Sequence, residues 1–248
     1  MVRPSHPGNV GAAARAIKTM GFHDLWLVAP RHRHLGEHPD ATALASGASD
    51  VLSGLREVDT LEQALESITL AFALTARPRE IGPPACDIRE AAALSSQHLT
   101  EYQNARVAIV LGTERTGLDN DHIALCQRIC HIPANPDYSS LNVAQAAQLT
   151  AWELRYALAT ASAQPLLPET HGAPDPGSDP AAHDEVEALI NHLEIALIAT
   201  EFLDPDHPKK LMMRMRHLLR RSLLTRDETN MLRGVCTAMI KTSRKNIS

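Results

Sequence analysis

The 248-residue sequence predicts an α/β protein built on a parallel sheet, followed by a small helical extension at its C-terminal end. Three observations lead there. Four short apolar runs, Leu25–Ala29, Ile68–Thr75, Arg106–Leu111 and Ile129–Pro133, are continuous rather than alternating, as strands covered on both faces are. Helical patterns around Val10–Met20, Leu61–Glu66, Asp119–Cys126 and Val143–Ala161 are interleaved with them, the order expected of a parallel sheet. Residues 162–184 then break the pattern with five prolines and two glycines, and three amphipathic helical patterns follow.

Taken in order, the first helix is introduced by Gly8-Asn9, with Asn9 reading as its N-cap. Ala12–Ala14 allow close approach of another backbone or a ligand, and Arg15 lies about two turns in. Trp26, in the first strand, and Trp152, in the helix Val143–Ala161, fall within apolar patterns and are expected in the core. Residues 1–161 thus form the main domain, 162–184 a linker and 185–248 a basic helical domain. In that last part Glu185–Phe202 is one helix. Lys209–Leu224 is a second, with Leu211, Met212, Met215, Leu218, Leu219 and Leu223 on one face and Arg214, Arg216, Arg220 and Arg221 directed elsewhere. Thr225 and Glu228 have capping-box spacing and start a third, apolar at Met231, Leu232, Val235, Met239 and Ile240. Three such helices cannot hide their own apolar faces and are expected to pack on the main domain or on a second subunit.

Composition narrows the function. With 44% hydrophobic and 21% charged residues the chain can bury a core, and no run approaches the 18 apolar residues of a membrane span. The N-terminal residues lack a secretory apolar segment, and the four cysteines Cys86, Cys126, Cys130 and Cys236 form no CxxC pair. Reduced thiols in the cytoplasm are the expectation. A zinc site at Cys126-x3-Cys130-His131 is disfavoured by its spacing and by the absence of a second ligand pair. The net charge of −5 argues mildly against a nucleic-acid partner, but residues 209–248 carry eleven Lys or Arg against Asp227 and Glu228, a local balance of +9. That asymmetry fits a polyanion-facing patch as well as a solvated basic helix face.

Three segments carry chemistry. His6-Pro7-Gly8-Asn9-Val10-Gly11 leads into an alanine-rich helix that is, on its own, as well explained by packing. Leu111-Gly112-Thr113-Glu114-Arg115-Thr116-Gly117-Leu118 follows an apolar run, where open parallel sheets bind ligands. Gly112 and Gly117 have phosphate-loop spacing, but Leu118-Asp119 stands where Lys-Ser/Thr is required, and no G-x-G-x-x-G is present. NTPase and nicotinamide dehydrogenase readings are therefore disfavoured. Pro133-Ala134-Asn135-Pro136-Asp137-Tyr138-Ser139-Ser140-Leu141-Asn142 is a rigid loop ahead of a helix whose first N–H groups are available to a ligand.

As an ordered set, the three segments closely resemble motifs 1, 2 and 3 of the SpoU branch of the SPOUT methyltransferases, over residues 1–160. SHPGN, ARAIKTMGF, LWLVAP and ANPDYSSLN, with the basic helical extension, resemble most the TrmJ group, which methylates the ribose of tRNA nucleotide 32. The resemblance implies a parallel-sheet SPOUT fold whose C-terminal half is tied in a trefoil knot, and a homodimer whose active site is completed across the interface. It implies S-adenosylmethionine as methyl donor, in a pocket lined by Leu74, Thr75, Ala76, Gly112, Ile132, Ser139, Ser140 and Leu141. Asn9, Arg15, Glu114, Ser140 and Asn142 match the positions of the family's catalytic site. The implied partner is tRNA, with no metal and no membrane. The same scaffold could instead serve ribosomal RNA or bind RNA without catalysis. Intact Arg15, Glu114, Ser140 and Asn142 speak against the latter. Relatives also carry an apolar strand before the SHPGN segment, whereas this sequence starts at Met1-Val2, so the expectation is that either this start is displaced from the real one or the sheet lacks a strand.

Overall fold

The computed structural model describes residues 1–76, 82–163 and 179–246. The middle of the expected linker, residues 164–178, lies outside the described residues. Every pairing between named strands is parallel. β1 (Trp26–Val28) pairs with β2 (Arg56–Val58). A four-stranded sheet has the order β4-β6-β3-β5, from β3 (Leu70–Leu74), β4 (Ala85–Asp87), β5 (Val107–Leu111) and β6 (Arg128–His131). Ahead of α1, residues 1–3 contribute one isolated bridge. Val2 pairs with Val28, its N–H donates to the Leu111 carbonyl (2.8 Å) and the Arg3 N–H to the Val28 carbonyl (2.7 Å). Residues 1–3 thereby join the two sheets into one surface.

β3 is buried at all five positions, as its uninterrupted apolar sequence requires. Leu70, Phe72 and Leu74 face one side, packing with Ile88 and Ala91 of α5 (Ile88–Glu101). Ala71 and Ala73 face the other, toward Leu61 and Leu65 of α4 (Leu61–Leu65) and Ile123 of α6 (Asn120–Ala124). A further cluster joins α1 (Pro7–Thr19), α2 (Pro39–Ala45), α3 (Ser49–Ser53) and α7 (Val143–Ala163) over β1. α1 begins earlier than Asn9: His6 is its N-cap and Pro7 takes the first helical position, where a missing N–H costs nothing. Gly11 allows α1 to meet α2, since a Cβ there would stand 2.0 Å from the Ala41 carbonyl oxygen. Trp26 is half-buried, with the Arg56 guanidinium 5.0 Å from its ring centre. Trp152 is not in the core; it is 55% exposed.

The C-terminal helices are α8 (His183–Ala199), α9 (Leu211–Arg221) and α10 (Arg226–Asn246), the last opened by the expected Thr225–Glu228 capping box. They pack on one another and on α4 and α6. Two of the arginines assigned to the outer face of α9 point inward instead. Arg220 is 2% exposed and donates to the carbonyl of Leu125 (2.7 Å), at the end of α6. It also pairs with Glu187, which Arg216 holds from the same helix. The carboxylate between them decides the orientation: a buried guanidinium needs a partner, and Glu187 supplies one. Burial tends to raise the Glu187 carboxyl, but Arg216 and Arg220 outweigh it and hold it below the ordinary range.

Candidate active site

The three motifs meet at the carboxyl ends of the strands, and Glu114 ties the first to the second. Its carboxylate accepts from the Ser5 N–H (3.3 Å), the Ser5 hydroxyl (3.1 Å), the His6 N–H (3.3 Å) and the Asn9 amide (3.2 Å). Partial burial tends to raise this carboxyl, but hydrogen bonds from its own backbone, Asn9, Ser5 and His6 win, leaving it below the usual carboxylate range. Asn142 ties in the third motif by donating from its side-chain amide to the Asn9 side-chain oxygen Oδ1 (2.9 Å). Its own side-chain oxygen accepts from the Ala144 N–H (2.8 Å), so the same residue caps α7. Asn9, Glu114 and Asn142 therefore form one continuous hydrogen-bonded chain across 133 residues of sequence.

The 112–118 loop is tightly folded. Thr113 and Gly117 form an antiparallel bridge, Gly117 has φ of 70°, and a Cβ on Gly112 would lie 2.2 Å from the Gly117 carbonyl carbon. Glycine at both positions is thus a steric requirement.

Beside this loop is a cavity of about 140 Å³. Leu74, which ends β3, forms one wall with Thr75 and Ala76, and Gly112 with Glu114 forms another. Ile132, Ser139, Ser140 and Leu141 close it from the third motif. All eight residues assigned by resemblance to a donor pocket line this one space. The Thr75 N–H is fixed by the Cys130 carbonyl (2.9 Å) on β6, which sets the floor. Ser140 is exposed at the cavity, and Tyr138 in the same loop is 80% exposed. The sequence reading did not single out Leu111, Thr113, Arg115, Thr116, Val143 and Ala146, which also line it. Their positions directly beside the motif residues were the available signal.

Arg15 is the exception. It stands exposed on α1, about 9 Å of helical rise beyond Asn9, and lines neither cavity described for this chain. Among the described residues its guanidinium makes no hydrogen bond or ion pair. A second feature is also left open: Leu149, Trp152 and Tyr156 (41%, 55% and 65% exposed) form an apolar stripe on α7, opposite the face that Ala147 and Ala151 bury.

Residues 1–152 match the model of the SpoU rRNA Methylase family, and residues 184–248 that of the TrmJ C-terminal domain of tRNA methyltransferases. The chain belongs to the SpoU methylase family. Within it the chain is 42% identical to the tRNA (cytidine/uridine/adenosine-2′-O-)-methyltransferase TrmJ of Pseudomonas aeruginosa, across 98% of this chain and 93% of that protein. The crystal structure of TrmJ from Z. mobilis ZM4 is similar over 96% of both chains, with 34% identity and a TM-score of 0.78. A probable methyltransferase from Bordetella pertussis Tohama I is 68% identical, covering 64% of this chain and 93% of its own, with a TM-score of 0.61. The two matches together span the domain carrying the motifs and the basic C-terminal helices.

Proposed function

We propose that the protein is a homodimeric, S-adenosylmethionine-dependent methyltransferase acting on a ribose 2′-hydroxyl of cytoplasmic tRNA, at nucleotide 32. The observation that carries the reading is the Asn9–Glu114–Asn142 chain beside a cavity at the strand ends, within a family of RNA methylases. The TrmJ name of relatives matched over nearly the whole chain favours tRNA over ribosomal RNA. The knot of the family fold would be formed by the 112–118 and 135–142 segments.

The cavity suits the donor in character. Leu74, Ile132, Leu141 and Val143 offer apolar walls to a flat heterocycle, while Ser139, Ser140 and backbone groups offer hydrogen bonds at its rim. At about 140 Å³ it is smaller than most ligand clefts, so the exposed 135–141 loop would yield as the donor enters. When bound, the donor supplies a methyl group on a cationic sulfur. The chain's residues must then hold the ribose oxygen in line and support the charge it develops. Glu114 already serves four donors, which makes it the organiser of the Ser5–Asn9 loop rather than a free base. Arg15 is a permanent cation, suited to a developing alkoxide or the neighbouring phosphate rather than to taking a proton. Since it lies away from its own cavity, a second copy docked through the Leu149–Trp152–Tyr156 stripe would deliver it to the partner's site.

Arg15→Ala tests this. Turnover on tRNA should fall to background, while calorimetry shows unchanged uptake of S-adenosylmethionine. A variant that methylates tRNA at the wild-type rate rejects the assignment.

A further inference from the structure

A second cavity, of about 290 Å³, lies on the other side of the 112–118 loop. Thr113, Thr116 and Gly117 line both, so a single loop separates them. Its remaining boundary is Arg3 and the start of α6, including Asp119 and His122. Arg3 is held in place by its backbone. It adopts a left-handed conformation (φ 46°) while its N–H is bonded to β1. Such a conformation is uncommon for a residue other than glycine, and here it is kept at the edge of a cavity. Asp119 caps α6 with Oδ1, accepting from the His122 N–H (2.9 Å), and turns Oδ2 toward the Arg3 guanidinium at 3.6 Å. His122 Nδ1 lies 2.7 Å from the same Oδ1, and its side chain is 14% exposed.

We infer that this cavity receives the base of the nucleotide being methylated, with Arg3 and Asp119 reading its polar edge. The inference rests on the RNA methyltransferase reading above. A base is fixed to its ribose by one bond, so a 2′-hydroxyl presented to the donor cavity brings its base within a sugar's width of the same loop. RNA bases are read when unpaired, by hydrogen bonds to their edges. The cavity is built for such an edge. A guanidinium offers only donors and a carboxylate only acceptors, and they stand side by side. A phosphate is a poor occupant, because Asp119 would repel it and neutralise the nearby cation. The far end of α6 is held through Leu125 by Arg220 of α9, and Arg214 and Arg221 of that helix are exposed. The helix that meets α6 through Arg220 thus also carries exposed cations suited to an RNA backbone.

The test uses the full chain and three tRNA transcripts that differ only in carrying cytidine, uridine or adenosine at the methylated position. Arg3→Asn tolerates the left-handed backbone, and Asp119→Asn keeps the helix cap while removing the charge. Each should change the ratio of kcat/KM between bases by at least about fivefold, with S-adenosylmethionine affinity by calorimetry unchanged. Unchanged ratios in both variants would overturn the inference. So would a loss of donor affinity with ratios intact, which would assign the cavity to the donor. A wild-type protein that methylates none of the transcripts rejects the functional reading itself, and is distinguished from the other failures by that control.

Discussion

Replacing Arg220 by methionine would remove the clamp between the C-terminal helices and the end of α6 while keeping an unbranched side chain of similar reach. The Arg220 side chain is 1% exposed, donates to the Leu125 carbonyl at 2.7 Å, lies 2.9 Å from His183 Nδ1 and pairs with Glu187. Breaking a buried ion pair by deleting one partner costs about 3–5 kcal/mol. Glu187 keeps Arg216, and its side chain is 20% exposed, so the low end, about 3 kcal/mol, applies. That is roughly a hundredfold in the equilibrium for local opening. Amide hydrogen exchange should accordingly be about a hundredfold faster in α8 to α10 and unchanged in β3 and β5. Unaltered exchange in the helices, or an acceleration spread evenly over the sheet, refutes the clamp. Acid should loosen the same contact in the wild type. Burial, and then the Arg220 charge, push His183 down to about 3. Its folded value lies below that of the unfolded chain, so the unfolded state binds the extra proton between the two. The clamp is then at full strength above about pH 6.5 and weakens as pH falls, by on the order of 2 kcal/mol at pH 5. Exchange in α8 to α10, compared at these two pH values after correction for intrinsic rates, measures it.

Glu114→Gln can keep an amide oxygen toward the Ser5 N–H, the His6 N–H and the Asn9 amide, but it puts an NH2 against the Ser5 hydroxyl and removes the charge that strengthens all four bonds, and should lower stability by about 1–2 kcal/mol in urea titration at pH 7. The wild-type carboxyl is held below its unfolded value, so its contribution is present above about pH 4.3 and is lost as pH falls through the folded value; the difference between the proteins should shrink there. Asn142→Ala removes the α7 cap and the bond to Asn9, for a loss of about 1–2 kcal/mol in thermal unfolding, whereas Asn142→Asp should recover the cap alone. Gly11→Ala gains up to about 1 kcal/mol of helix propensity, yet its methyl would meet the Ala41 carbonyl oxygen at 2.0 Å. Net destabilisation of about 1–3 kcal/mol in a urea titration is the expected outcome, and a stabilised variant would show that α1 and α2 are not in contact.

What was legible in the sequence follows from what leaves a local trace. β3 was readable because a strand buried on both faces must be apolar at every position, and the loop before α7 because proline and an N-cap mark it. β2 and β4, three residues each, are too short to show a period, and α2 and α3 are little longer. α5 could have been found: Asp87 and Glu90 form a capping box, with Asp87 accepting from Arg89 and Glu90 and Glu90 accepting from the Asp87 N–H. The inward turn of Arg216 and Arg220 had no trace, because the decisive partner, Glu187, is about thirty residues away on another helix.

Helical periodicity also says which face is apolar without saying what covers it, and α7 shows the consequence. Its pattern predicts burial of Trp152 equally well against the sheet or against another molecule, and within one chain the side chain stands in solvent. Tyr156 and Leu149 share that face, so three large apolar groups are left open on the helix whose first turn lines the cavity beside the 112–118 loop. Contiguous exposed apolar patches usually mark a surface that another molecule covers. The same chain holds Arg15 away from its own cavity while Asn9, Glu114 and Asn142 are already linked. On the proposed function, one change, docking of a second copy along α7, would cover the stripe and bring Arg15 to the partner's cavity together. Mixed dimers of Arg15→Ala with a Ser140→Arg protein whose cavity is blocked should therefore regain activity at one of two sites. If they remain inert while each subunit still folds and pairs, the cation is not delivered across the interface.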